Sequence, residues 1–291
     1  MTIDYTVFDP TGNITVLAEG DIPRSKYAEA AVALAGAVRG TEQVGFIEPA
    51  GGYAAASGAQ ARLQMTGGEF CANATMSLAA YVADRKNLAD NQQMSVTLEV
   101  SGVDGTVNCL IKRTGESYRG TLDIPLPTSI SKHTFRLLEK DYPLTVVSMP
   151  GICHIIAPIE LFSSGDMPAD NMSANTPADR ERAFAEKALV SWSKEFQASA
   201  YGLMLFDEPE HRIKPLLYVP AANSLVWENC CGSGSGAVCA WLASNSNSDI
   251  SVDFHQPGGT IMAATSVDSG KIRSLSVTEN IKIIKKGSIS V

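Results

Sequence analysis

One short pattern occurs twice in this chain, and it constrains the fold more than any other feature. The first copy is Gly67-Gly68-Glu69-Phe70-Cys71-Ala72-Asn73-Ala74-Thr75-Met76; the second is Glu228-Asn229-Cys230-Cys231-Gly232-Ser233-Gly234-Ser235-Gly236-Ala237. Each sets a cysteine shortly after an acidic residue, then small residues, then an apolar run, Met76 to Val82 and Ala237 to Ala243. Such runs read as buried helices. Cys71 and Cys231 align, 160 residues apart (231 less 71). A chain that repeats this unit reads as two related halves, each offering one thiol to a shared cleft. A single cysteine of this kind reads as a small, inert core residue. Repetition of the whole setting argues for function.

The setting suggests the chemistry. Each cysteine falls near a helix start, where free N–H groups and the helix dipole favour anions. There a thiol is expected to fall from about 8.5 towards neutrality, and a carboxylate can be held. Two such helices aimed at one point would grip an α-carboxylate and set a thiol on each face of the α-carbon. One thiolate would remove the α-hydrogen as base while the opposite thiol delivers a proton as acid.

The flanking segments repeat in order. Strand, turn, strand is expected over residues 6–17, with Asp9-Pro10-Thr11-Gly12-Asn13 as the turn, and again over 144–157 around Pro150-Gly151. A helix capped by Ser25 follows in the first half, and Arg180 to Phe196 is helical in the second. Strands at 42–48 and 61–65 are echoed at 201–206 and 215–219. Pro49 to Gly58 and Asp170 to Asp179 read as exposed loops, and Met94–Val100, Thr106–Lys112 and Tyr118–Ile124 as strands. Pro125-Leu126-Pro127-Thr128 is stiff enough to cross between domains. The chain closes in strands at 251–255, 260–264, 274–277 and 281–285. The expected domains are 1–124 with 272–291, and 125–271.

Composition narrows the partners. The formal net charge is −8 over 291 residues with no basic run, which argues against nucleic acid and anionic membrane. No apolar stretch is long enough to span a bilayer, and Met1-Thr2-Ile3-Asp4-Tyr5 lacks the features of a signal peptide, so a cytoplasmic protein is expected. Six cysteines without paired metal-site spacing suggest reduced thiols and no zinc. Cys230 reads as structural, since adjacent side chains rarely face one site. Asn13 is explained by turn formation, although its amide could reach a substrate. His154 and His255 read as hydrogen-bonded structural residues rather than bases. Gly232-Ser233-Gly234-Ser235-Gly236 is no phosphate loop, because no lysine follows.

The motifs Cys71-Ala72-Asn73-Ala74 and Cys231-Gly232-Ser233-Gly234, with Thr11-Gly12-Asn13, Glu42-Gln43 and Gln256-Pro257-Gly258-Gly259, resemble the cofactor-independent diaminopimelate epimerase family across essentially the whole chain. Within it, Glu42 to Glu48, Glu69-Phe70-Cys71, Met204 to Glu208 and His255 to Gly259 look most like the histidine racemases of bacterial metallophore pathways. The resemblance implies an α+β diaminopimelate epimerase-like fold with two pseudo-symmetric domains, each a β-barrel-like sheet around a central helix. It implies a homodimer acting on a small-molecule amino acid, with no cofactor, pyridoxal phosphate or metal. Carried over by motif, Cys71 and Cys231 are the acid/base pair, and the N–H groups of Ala72, Asn73, Gly232 and Ser233 hold the α-carboxylate. Asn13 and Gln43 line the pocket; Glu228 meets an α-ammonium or a polar side chain.

Departures bear on the substrate. Diaminopimelate epimerases carry a Glu-Arg pair before the second thiol; here no arginine lies between Val219 and Cys231. Ile152 stands where they have asparagine, and another of their asparagines falls at Gly202 or Leu203. A second carboxylate would be poorly paired, which is costly when buried. That favours a neutral side chain such as imidazole. Ala72 replaces a common glycine and would be strained at φ > 0. The rival readings are diaminopimelate epimerase, a racemase of another amino acid, a phenazine-pathway-type isomerase lacking the paired thiols, and a non-catalytic amino-acid-binding protein.

Overall fold

The computed structural model describes residues 2–163 and 176–291. The first half runs β1 (Thr2–Pro10), β2 (Thr15–Glu19), α1 (Tyr27–Ala37), β3 (Gln43–Glu48), α2 (Gly52–Ala56), β4 (Arg62–Met65), α3 (Ala72–Arg85), β5 (Gln93–Val100), β6 (Thr106–Thr114) and β7 (Ser117–Asp123). The second runs β8 (Ser129–Leu137), β9 (Lys140–Met149), β10 (Ile152–Pro158), α4 (Glu160–Ser163), α5 (Pro177–Trp192), β11 (Ala200–Asp207), β12 (Arg212–Val219), β13 (Ser224–Trp227), α6 (Gly232–Ser246), β14 (Ile250–Gln256) and β15 (Gly259–Asp268). The strand β16 (Lys271–Ser290) ends the chain.

The halves repeat one pairing pattern. In the first, β1–β2 is antiparallel, β2–β3 parallel, β3–β4 antiparallel and β4–β5 parallel. In the second, β9–β10, β10–β11, β11–β12 and β12–β14 follow the same alternation. Each parallel pair needs a crossover. α1 and α5 supply the first of each half; α3 and α6 supply the second.

Strands β1 to β7 close into an eight-stranded barrel with β16, which pairs with β7 on one edge and β1 on the other. The β16 strand also joins the halves, because its residues 271–278 pair with β15. Two strands were expected there. No glycine or proline separates them, Asn280 pairs with Arg119 within the ladder, and Glu279 sits buried in the middle of one continuous strand. The α3 helix lies inside the barrel, with Ala74, Met76, Leu78, Ala79, Ala80 and Ala83 fully buried. Small residues allow this fit: Met76 Sδ would lie 3.3 Å from a Cβ at Gly120 on β7. The α6 helix occupies the matching place in the second half and shares one core with α3. The outer helices α1 and α5 cover separate cores against β1–β3 and β8–β12.

The remaining differences from the sequence reading are local. The expected loop 49–58 contains α2. Ser25 does not cap α1; it lies in a 3-10 turn, and Lys26 precedes the helix without a side-chain cap. Strands β8 and β13 were not anticipated, because polar residues fill the exposed face of β8 and β13 is only four residues long. Of the loop expected at 170–179, residues 170–175 lie outside the described residues. Thr176 and Asp179 form a capping box that starts α5 earlier than expected.

Candidate active site

Cys71 and Cys231 each occupy the residue before a helix, with extended backbone, φ −128° and −129°. The local sequence accounts for this. Small residues fill the first turn of both helices, so the starts of α3 and α6 approach closely. A Cβ at Gly232 would lie 2.9 Å from Ala72 Cβ and 3.0 Å from Asn73 Oδ1. Ala72 is the first residue of α3 and does not have positive φ, so the strain anticipated there is absent.

Both thiols open onto one cavity of about 690 Å³ between the halves. Its wall includes Gln43, Ala72, Asn73, Glu228, Gly232 and Ser233. Asn13 is fully buried behind it and acts through its neighbours. Gln43 Nε2 donates to Asn13 Oδ1 at 2.6 Å and to Thr15 Oγ1 at 2.8 Å, which turns Gln43 Oε1 towards Cys71. The Cys71 S–H donates to that oxygen at 2.8 Å. On the other side, Gln256 Oε1 accepts the Cys231 N–H at 2.8 Å and Gln256 Nε2 donates to Ser235 Oγ at 2.9 Å. Gln256 was expected only as part of a motif; its work is to fix the backbone at the second thiol.

The halves are sewn together beneath the thiols. Asn13 Nδ2 and Asn73 Nδ2 donate to the Cys230 carbonyl at 2.9 and 2.8 Å, and the Gly232 N–H donates to Asn73 Oδ1 at 3.1 Å. Cys230 is structural through its main chain, a role that side-chain reasoning did not reach. A second joint brings the Thr11-Gly12 turn against Gly258: a Cβ at Gly12, φ +86°, would lie 2.8 Å from Gly258 O. His154 is fully buried and off the cavity wall, its Nε2 3.1 Å from Ser233 Oγ. Burial lowers it to about 3, so the ring is neutral and orients Ser233. Ser233 Oγ lies 3.6 Å from Cys231 Sγ.

The site is acidic. Glu42, Glu69 and Glu228 line the cavity. Burial raises Glu42 to about 7, with Asn229 opposing, and raises Glu228 to about 8, helped by the charge of Glu42. Cys231 and Asn13 beside it oppose that rise only weakly. Both thiols are pushed well above their ordinary value, by burial first and then by the charge of Glu228. This reverses the expected fall towards neutrality. A helix start contributes about 0.3–1 kcal/mol near an exposed surface, too little to offset desolvation and an adjacent carboxylate. The Ala74 N–H does reach Cys71 Sγ, at 3.4 Å, but does not prevail. Both thiols are therefore protonated in the ligand-free protein.

Among the described residues, no group of three or more His, Cys, Asp or Glu side chains is placed to hold a metal ion, and no helix is long and apolar enough to cross a membrane. All six cysteines are free.

The fold is that of known epimerases. A hydroxyproline epimerase from Agrobacterium vitis superposes with a TM-score of 0.63 at 10% identity, covering 99% of this chain and 92% of its own. It is not a diaminopimelate epimerase, so the likeness establishes an α+β epimerase-like architecture and no narrower class.

The family model described as the histidine racemase CntK N-terminal domain matches residues 2–290, nearly the whole chain and both halves. A histidine racemase from Staphylococcus aureus is 30% identical over 276 residues, 90% of this chain and 88% of that protein. One from Fusobacterium nucleatum is 28% identical over 258 residues, 85% and 84% of the two chains. The chain belongs to the histidine racemase family.

Proposed function

We propose that this enzyme interconverts L- and D-histidine by two-base proton transfer at the α-carbon, without a cofactor. The observation that carries the reading is the opening of two thiols, each preceding a helix, onto one cavity. The carboxylate would lie between the helix starts, at the N–H groups of Ala72, Asn73, Gly232 and Ser233. The first N–H groups of a helix have no intrahelical acceptor. In the ligand-free protein the Gly232 N–H is held by Asn73 Oδ1, so an arriving carboxylate competes for it.

Glu228 would take the α-ammonium. A cation there lowers Glu228 from about 8 and offsets the charge that holds both thiols protonated. Binding itself then brings the thiols nearer to use. The thiolate on one face removes the α-hydrogen, the carboxylate clamp stabilises the developing negative charge, and the opposite thiol returns a proton. The reverse direction exchanges the roles. Gln43 holds the Cys71 proton in line, and Ser233 does the same service for Cys231.

The repeated pairing pattern supports reading 1–124 with 272–291 as one epimerase-like domain and 125–271 as the other. We further expect a homodimer in the cytoplasm, where the free thiols stay reduced. The test is a panel of the common amino acids, followed by loss of optical rotation. L-Histidine should racemise fastest, and Cys71→Ser or Cys231→Ser should abolish the reaction. A protein that binds histidine but leaves its rotation unchanged would support the non-catalytic rival instead.

A further inference from the structure

The run from Glu228 into the second thiol is held peptide by peptide. The Glu228 N–H donates to Pro215 O at 3.0 Å, and the Asn229 carbonyl accepts the Gly258 N–H at 2.9 Å. The Cys230 carbonyl is held by Asn13 and Asn73, and the Cys231 N–H by Gln256. A further grip comes from Glu42. Its Oε2 accepts the Asn229 N–H at 3.0 Å, and its Oε1 accepts the Asn229 side-chain amide. Glu42 belongs to the first half and Asn229 to the second, 187 residues apart along the chain. Among these grips, Glu42 alone is ionisable.

Glu42 directly precedes Gln43, whose Oε1 accepts the Cys71 S–H at 2.8 Å. Two adjacent residues therefore reach both thiols: Gln43 touches the first, and Glu42 holds the chain that leads into the second. Their own backbone is anchored. The Glu42 N–H donates to Ile14 O at 2.9 Å, and Gln43 opens β3, paired with Thr15 of β2. Asn229 has little freedom on its other side. A Cβ at Gly258 would lie 3.0 Å from Asn229 Cβ and 2.6 Å from Thr11 O. Asn229 is thus confined between Glu42 and the joint of Thr11 with Gly258.

We infer that Glu42 is a positioning residue for racemisation: its carboxylate, reaching across the halves to Asn229, fixes where Cys231 stands relative to Cys71. This rests on the racemase reading and adds a residue to it. Proton exchange at one carbon between two thiols requires both in place at once, and a displacement of about 1 Å can cost about a hundredfold in rate. Both Asn229 groups are donors, so the grip needs two acceptor oxygens. An ionised carboxylate supplies them, whereas a protonated one turns an oxygen into a donor facing an N–H. The grip therefore depends on pH. Burial raises Glu42 to about 7, Asp9 adds to the rise, and the Asn229 bonds oppose it. The other titratable groups that feel its charge are Glu228 and the Cys230 thiol. The grip is complete above about 7 and is lost as pH falls through that value.

The test uses Asn229→Asp, Glu42→Gln and the two together, with folding checked by thermal melting and racemisation of histidine followed by optical rotation. Asn229→Asp sets a second carboxylate against Glu42 and should lower kcat/KM at pH 8 by about tenfold or more. Adding Glu42→Gln lets the new amide donate to the new carboxylate and accept the main-chain N–H, and should recover at least about fivefold. The pH dependence of kcat/KM reports groups of the free enzyme. Glu42→Gln alone does not titrate, so its kcat/KM relative to the parent should climb roughly five- to tenfold from pH 8 to pH 6. A merely structural contact would leave that ratio flat. Asn229→Asp within about twofold of the parent, no recovery in the double variant, or a flat ratio each overturns the assignment and leaves the racemase reading standing. No racemisation by the parent protein overturns both.

Discussion

Asn73 and Gly232 meet across the two halves: the Gly232 N–H donates to Asn73 Oδ1 at 3.1 Å while Asn73 Nδ2 holds the Cys230 carbonyl at 2.8 Å. One side chain at the start of the first central helix thus sets the start of the second. Replacing it with alanine leaves part of the Cys230 carbonyl's bonding to Asn13 alone and frees a buried N–H. Asn73→Ala should lower the melting temperature by roughly 5 °C and kcat/KM for histidine by roughly ten- to a hundredfold. Calorimetry and kinetics on one preparation check both.

The closeness of the helix starts is itself testable. A Cβ at residue 232 would crowd Ala72 Cβ and Asn73 Oδ1. Gly232→Ala should push the helices apart and cut kcat by about tenfold or more. Adding Ala72→Gly removes one of the two crowded atoms and should recover part of the loss. Independent, additive losses in the double variant would mean that the two residues do not meet.

Glu228 should govern thiol reactivity. Its charge raises both cysteines, second only to burial. Glu228→Gln removes that charge, so the thiols titrate lower. Alkylation of Cys71 and Cys231 by iodoacetamide at pH 8 should accelerate by between roughly three- and tenfold. Over the same substitution KM for histidine should rise, because the ammonium loses its partner.

Glu279 gives a pH signature of stability. It is buried with neither oxygen bonded, and burial, then Asp9 and Glu228, raise it to about 8. A carboxyl raised in the folded state binds its proton more tightly there than in the unfolded chain. Its contribution is intact below the unfolded value near 4.5 and is lost progressively as pH rises to about 8. Glu279→Gln should therefore flatten the decline, gaining roughly 5 °C at pH 8 relative to the parent and much less at pH 5.

The fold's repetition and the pair of thiols were legible because they rest on local chemistry, Cys before small residues before an apolar run. The parallel crossovers made by α1, α3, α5 and α6 follow from the same repeated order. Strand β8 was not legible, since its first six residues, Ser129 to Thr134, are mostly polar and only Phe135 and Leu137 at its end are buried. The fusion of 274–277 and 281–285 into one strand depends on partners in both halves. Gln43 was found by resemblance, but its hydrogen bond to Cys71 depends on Asn13 and Thr15, which no spacing reveals. The thiols' upward shift was missed because burial and Glu228 act through space, and only the helix start was visible in the sequence.

The central claim is that each face of the α-carbon has its own thiol. Racemisation of L-histidine in deuterium oxide, stopped at low conversion, tests it directly by NMR of the separated enantiomers. Two bases predict D-histidine carrying deuterium at the α-carbon and recovered L-histidine still carrying hydrogen. Deuterium appearing equally in both enantiomers would mean that a single group serves both faces, and would contradict the account.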